Sequence, residues 1–436
     1  MMKRREFLET AAAGLVGLSL PRPLFSGPSR RRAGERKRPV LVVVYLRGGL
    51  DPLNTIVPYG EARYYELRPT IAIPAPGQDQ GGVIALDDKF GLHPALADLE
   101  PLWNEGLFVP ILNVGSPHPT RSHFDAQDFM EYAAPGLRTL KAGWLNRYLS
   151  ATRSESGAEP ELRAVGLQGL LPRALRGSYP VLAAPPGQDR RTSEVLEFYD
   201  DLYLGGGGME PLPEAGPEAR PESRMESGST AERDGQDAVL QTGQATIRAL
   251  RRYLEIMKAG ESRERAAYPA GQLGPKLRAI ATLIRHHPDL EVACVDWNGW
   301  DHHAGQGGLE GLQARLLAHL GQSLKALMED LGAHRKRTLV LVMTEFGRTC
   351  RENGNAGTDH GHGGLMLALG GALKGRKIHG RWEGLADNDL YEGRDLPVTT
   401  DFRDVFNEVL TTHMEFEPDR AFFPEYRPGR GPGFLV

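Results

Sequence analysis

Apolar positions along the chain fall into two patterns. Continuous runs of strand length occur at 40–46, 107–114, 292–295 and 339–343. A strand buried on both faces of a parallel sheet requires such runs. Between them lie segments with an apolar residue every three or four positions. Leu96, Leu99, Leu102 and Trp103 form one, 140–150 another, and 238–258 and 273–286 two more. The longest carries Leu309, Leu312, Leu316, Leu317, Leu320, Leu324, Leu327, Met328 and Leu331, and leads straight into the run at 339–343. That spacing predicts an amphipathic helix. Strands alternating with helices predict an α/β fold, a three-layer sandwich around a mostly parallel central sheet. The strand–helix–strand order over 292–343 puts both strand ends at one sheet edge.

All four apolar runs stop in polar punctuation. The first is followed by Arg47-Gly48-Gly49-Leu50-Asp51, the second by a turn that reaches Ser122. Asp301-His302-His303 follows the third, and Thr344-Glu345-Phe346-Gly347-Arg348 the fourth. After a polar loop comes Asp359-His360-Gly361-His362. Ligand sites of open α/β sheets lie at the carboxyl ends of strands, and glycines let the backbone bring short acid and imidazole side chains together. The gathering points to a metal centre, with a strand running into a polar turn as the plainer reading. Asp51 is either a ligand or the cap of a turn begun by Pro52. Ser122 is predicted at the N-cap of a helix over 122–133, with Asp125 three positions on in capping-box spacing. Its hydroxyl is a plain cap or an activated nucleophile at a helix end that favours anions. His93 reads as a helix start.

Net charge is −4 and the pI about 6.4, so composition implies no general affinity for nucleic acid. Two cysteines, Cys294 and Cys350, cannot build a disulfide framework. Cys294 sits in an apolar run and reads as a packed core thiol. Residues 1–38 read as a twin-arginine export signal and a basic linker: Arg4-Arg5, Phe7-Leu8, a weakly apolar run over 11–20, then Pro21. The protein is therefore expected in the periplasm or outside the cell. The apolar run is too short for an ordinary transmembrane span, and only an uncleaved signal would tether the chain to a membrane. One domain is expected over 39–436. Within it, 205–234 begins with four glycines, collects Pro, Glu and Ser, and reads as a disordered insertion.

Taken together, RGGLD, PTRSHFDAQ, GWLNRYL, GWDHH, TEFGRT, GTDHGHGG and TTDFRDV resemble the motifs of an exported, sulfatase-like family of unknown function within the alkaline phosphatase superfamily. The resemblance spans 40–410 and implies an alkaline phosphatase-like fold. It further implies a metal-dependent hydrolase acting on an anionic phosphate or sulfate ester. It places Asp51, Asp301, His303, Glu345, His360 and His362 among the metal ligands, Ser122 as nucleophile and Arg348 beside it. Mixed carboxylate and imidazole donors suit zinc or manganese, as one or two ions. Phe346 departs from the pattern, standing where a metal-binding histidine is expected; either His362 or His302 substitutes, or the second metal is weak or absent. The sulfatase cysteine motif is absent, which argues against a formylglycine-type sulfatase. The alternative is a catalytically silent exported protein of the same fold that binds metal or a polyanion.

The export reading makes the first prediction. Replacing Arg4 and Arg5 together by lysine should leave the protein in the cytoplasm on cell fractionation; undiminished export of that variant would remove the twin-arginine reading.

Overall fold

The computed structural model describes residues 37–77, 81–154, 160–185, 230–260 and 266–436, with the backbone alone described over 230–242. The expected export signal, nearly all of the linker, and the expected insertion up to residue 229 lie outside the described residues. In chain order the strands are β1 (Val40–Arg47), β2 (Ile56–Val57), β3 (Ile84–Ala85), β4 (Gly91–Leu92), β5 (Phe108–Gly115), β6 (Ala164–Gly166), β7 (Leu182–Ala183), β8 (Val292–Asn298), β9 (Thr338–Met343), β10 (Gly364–Gly370) and β11 (Thr400–Asp401). The α-helices are α1 (Ala62–Leu67), α2 (Glu100–Asn104), α3 (His123–Tyr132), α4 (Trp144–Ala151), α5 (Thr230–Gly260), α6 (Gly274–His286), α7 (Leu312–Leu331) and α8 (Phe402–Glu408).

Among the described residues, eight strands form one sheet in the order β11-β5-β10-β9-β1-β8-β6-β7. All four predicted runs are in it. β1 lies at its centre, parallel to β8 on one side and β9 on the other. Only β10 runs against the rest, antiparallel to β9 and β5. It was not among the predicted strands, because its sequence GLMLALG follows directly on a glycine- and histidine-rich loop. Since β10 is reversed, the loop before it reaches the same sheet edge as the carboxyl ends of β1, β5, β8 and β9.

Alternation along β1 explains the layers. Val40, Val42, Val44 and Leu46 face one core with α6 and α7, whereas Leu41, Val43 and Tyr45 face another with α4 and α8. Side chains alternate across a strand, so a continuous apolar run feeds both faces at once. On the first face Leu317, Leu320, Leu324 and Leu327 of α7 are fully buried, each burial contributing about 1.5–3 kcal/mol. On the second, Trp144 stacks on Phe406 with ring centroids 4.2 Å apart. The helix expected around Leu96 to Trp103 is two pieces. A 3-10 segment, Pro94–Leu99, precedes α2, and His93 starts it by accepting the Ala95 N–H. Cys294 and Cys350 are both buried free thiols. No helix among the described residues is long and apolar enough to cross a membrane.

A buried ion pair ties β6, β8 and α4 together. Glu291 accepts from Arg163 Nε at 3.0 Å, Arg163 Nη2 at 3.1 Å and Tyr148 OH at 2.6 Å. Burial alone would raise the carboxyl's pKa, but the Arg163 charge and hydrogen bonds, with Tyr148, hold it below the ordinary value. Its stabilisation is therefore complete above the usual carboxylate range and is lost as pH falls through the depressed folded value. Glu291→Ala, which leaves Arg163 buried without its carboxylate, should cost about 3–5 kcal/mol in denaturant unfolding. The variant should also lose less stability than the wild type on going from neutral to acid; parallel pH profiles would contradict the assignment.

Candidate metal centre

Four separate excursions from one sheet edge build the site. β1 exits through Gly48, at φ +127°, where a Cβ would stand only 2.4 Å from the Asp301 backbone nitrogen. The loop after β8 can therefore fold over the end of β1 only because residue 48 has no side chain. That loop delivers Asp301 and His303, β9 delivers Glu345, the loop before β10 delivers Asp359 and His360, and α3 begins with His123.

Four of these side chains converge. Asp301 Oδ1 lies 3.0 Å from His303 Nε2 and 3.2 Å from His360 Nε2, and those two nitrogens are 3.0 Å apart. His123 Nε2 lies 3.3 Å from Asp301 Oδ2. One ligand atom from each of His123, Asp301 and His360 falls within 4.8 Å of the others. The far side of every ring is held by an acceptor. His123 Nδ1 donates to Glu345 Oε1 at 2.8 Å, His303 Nδ1 to Asp359 Oδ1 at 2.9 Å, and His360 Nδ1 to the Arg121 carbonyl at 2.8 Å. A carboxylate or carbonyl cannot donate, so each Nδ1 carries a hydrogen, and the Nε2 turned toward the cluster is the nitrogen that can ligate an ion. Imidazoles that ligate metals are oriented in just this way.

The donors fit a divalent ion. With bonds of about 2.0–2.1 Å to zinc, the ligand atoms of a tetrahedral site stand about 3.3 Å apart, close to the spacings here. His123 Nε2 is buried and has no aligned hydrogen-bond partner. Converging lone pairs and a carboxylate repel one another unless they share a cation, either a proton or a metal. The Glu345 hydrogen bond raises the pKa of His123 against the opposing effect of burial, while burial lowers that of His360. Burial would raise Asp301, but Arg348 outweighs it and holds the carboxyl down to about 2. The Asp301 and His303 side chains keep 40% and 45% of their surface exposed, so the cluster is open to solvent on one side.

Several expected residues take other places. Glu345 does not face the cluster's interior. Its buried Oε1 accepts from the Gly48 N–H, His123 and Gln127, and its Oε2 from Thr344. It orients His123. Asp51 lies apart, its carboxylate held by Arg68, Gln306 and the Leu53 N–H; the turn-capping reading describes that last contact. Arg348 is fully buried and donates from Nη1 to Asp301 Oδ1 at 2.8 Å, so it positions this carboxylate and does not reach toward solvent. His362 stacks on Tyr391 with centroids 4.5 Å apart and stays out of the cluster. Phe346 lays its ring 4.9 Å from the rings of both His123 and His360, a wall and not a ligand. Ser122 is exposed at the N-cap of α3, but its side chain makes no cap hydrogen bond. The capping box fails because Asp125 pairs with Arg138 instead.

Beside the Phe346 ring, His123 brings a further imidazole to the cluster; the sequence reading passed it over for its neighbour Ser122. A signal was there. His123 and Gln127 stand one helical turn apart, and both reach Glu345.

A family profile described as "Protein of unknown function (DUF1501)" matches residues 110–421. No curated protein shows a significant match. Among solved structures, the C-terminal periplasmic domain of EcEptC from Escherichia coli, in complex with Zn, aligns at 10% identity and a TM-score of 0.33, over 76% of this chain and 73% of that one. The PsFucS1 sulfatase from Pseudoalteromonas sp. aligns at 11% identity and a TM-score of 0.33, over 91% of this chain and 73% of that one.

Glu345→Ala should weaken divalent-ion binding by about 10–100-fold, since the His123 ring loses its orienting acceptor. Glu345→Gln, which keeps an acceptor oxygen, should lose less. Competition for zinc against a chromophoric chelator reads both, and full affinity in Glu345→Ala would exclude His123 from the ligand set.

Proposed function

The chain belongs to the DUF1501 family of unknown function, and we propose that it is a metal-dependent hydrolase of phosphate or sulfate esters working outside the cytoplasm. One observation carries this reading: three imidazoles, each held from behind at Nδ1, turn Nε2 toward one carboxylate that is partly open to solvent. Carboxylate and imidazole donors suit zinc or manganese over calcium or magnesium. Such an ion, when bound, would supply charge neutralisation and polarisation of an ester oxygen.

The chain's own residues supply the rest. Glu345, Asp359 and the Arg121 carbonyl hold the three rings in register, and Arg348 holds Asp301. Ser122, next to His123, is the proposed nucleophile. Its hydroxyl is exposed, carries no capping bond and stands at the amino end of the ten-residue helix α3, where partial positive charge favours an attacking oxyanion. Attack on phosphorus or sulfur would release the alcohol, and water would then free phosphate or sulfate from the serine. Export rests on Arg4-Arg5 and remains part of the proposal.

The second reading is a catalytically silent protein that binds metal or a polyanion, favoured by the withdrawal of Asp51 into its pair with Arg68. The two separate on one experiment. Protein stripped by chelator and reloaded with zinc or manganese is assayed on generic phosphomonoesters, phosphodiesters and sulfate esters. Turnover of one class that depends on added ion supports the hydrolase; ion binding with no turnover of any class supports the silent reading. Ser122→Ala should lower turnover by orders of magnitude while leaving ion content intact. Because the hydroxyl makes no cap bond, the stability change should be well under the roughly 1 kcal/mol a capping serine provides. Surviving turnover in that variant would remove the serine from the mechanism.

A further inference from the structure

We propose that the Arg68 guanidinium is a permanent internal cation standing against Asp51 in place of a second divalent ion, so that this centre binds one ion. The inference rests on the metal site proposed above and concerns how many ions it takes. The family resemblance makes Asp51 a ligand, which would pair a second ion with the first at about 4 Å, as in two-metal hydrolases. The residues around Asp51 do not fit that ion.

Each Asp51 oxygen is already shared by two donors. Oδ2 accepts from Arg68 Nη1 and from Gln306 Nε2 at 2.6 Å, and Oδ1 from Arg68 Nη2 at 3.0 Å and the Leu53 N–H at 3.2 Å. The guanidinium is equally committed. Nε donates to the Cys350 carbonyl at 2.9 Å, Nη2 also to the Thr349 carbonyl at 2.9 Å, and Nη1 also to Asn54 Oδ1 at 2.8 Å. All five N–H groups of Arg68 are thus placed, and the side chain is fully buried, as is Asp51. A buried pair is stable under this condition, with every lone pair and proton satisfied. Arginine cannot be neutralised by losing a proton. For Asp51 to take an ion, it would have to abandon a buried guanidinium that has nowhere else to discharge. Glu345, the other expected ligand carboxylate that stands outside the cluster, is likewise surrounded by donors.

The pair is nevertheless wired to the metal cluster. Gln306 donates its amide to Asp51, so its oxygen accepts from Thr358 Oγ1 at 2.7 Å. Thr358 Oγ1 in turn accepts from Arg348 Nε at 3.2 Å, and Arg348 Nη1 donates to Asp301. The chain of bonds ends on Arg348, so Asp51 meets the cluster only at several removes and ligates nothing there.

The test counts ions and does not depend on finding a substrate. The full-length protein is stripped with chelator and titrated with zinc, and bound equivalents are read by calorimetry and by elemental analysis after desalting. Wild type should take up one equivalent, and Asp51→Asn should keep it. Should Asp51→Asn not fold, the double variant Asp51→Leu/Arg68→Met removes both buried charges together, the milder change, and should also keep one equivalent. Two tight equivalents in the wild type, with one lost in either variant, would overturn the inference while leaving the metal site standing. No zinc uptake at all would instead sink the metal reading and this inference with it.

Discussion

A carboxylate buried at the end of a central strand must be satisfied from every direction, and Glu345 is. Its partners come from the end of β1 through the Gly48 N–H, from its own neighbour Thr344, and from one face of α3 through His123 and Gln127. Burial works against its charge, and the hydrogen bonds of His123 and Gln127 outweigh burial and keep it ionised. This one charge therefore fixes where α3 begins relative to the sheet. It also decides which nitrogen of His123 carries the hydrogen, and so which one faces the cluster.

The same rule extends around the site. His303 leans on Asp359 and His360 on the Arg121 carbonyl, so three rings from three different segments are turned by acceptors behind them. Close backbone approach makes this possible. Asn353 bonds both the His303 carbonyl and Asp359, clasping the two loops that carry His303 and His360. What results is a cluster preorganised from outside and open toward solvent, an arrangement suited to holding an ion and a ligand together.

Charge is distributed with similar economy. Two buried guanidiniums, Arg68 and Arg348, each stand against one aspartate, Asp51 and Asp301, and Gln306 and Thr358 link the two pairs. Only Asp301 retains exposed surface. Of two aspartates that follow strands in the same sheet, one is closed within the protein and the other is left facing the histidines.

The sequence alone determined the α/β class, four of the sheet's strands, its main helices and the edge at which acids and imidazoles collect. Those features depend on local signals: continuous apolar runs for doubly buried strands, three- and four-residue spacing for helices, and glycines where strands turn out. Tertiary structure alone decided which of the collected residues meet. His123 joins the cluster and His362 does not, although both stand near glycines or caps at the same edge. Asp51 and Asp301 follow strands in the same manner, yet Arg68 claims only the first. The partners that settle these choices lie far apart in the chain, 222 positions between His123 and Glu345 and 255 between Asp51 and Gln306. A side chain's protonation, orientation and freedom to bind an ion are set by what packs against it, and at such separations only the folded chain brings those neighbours together.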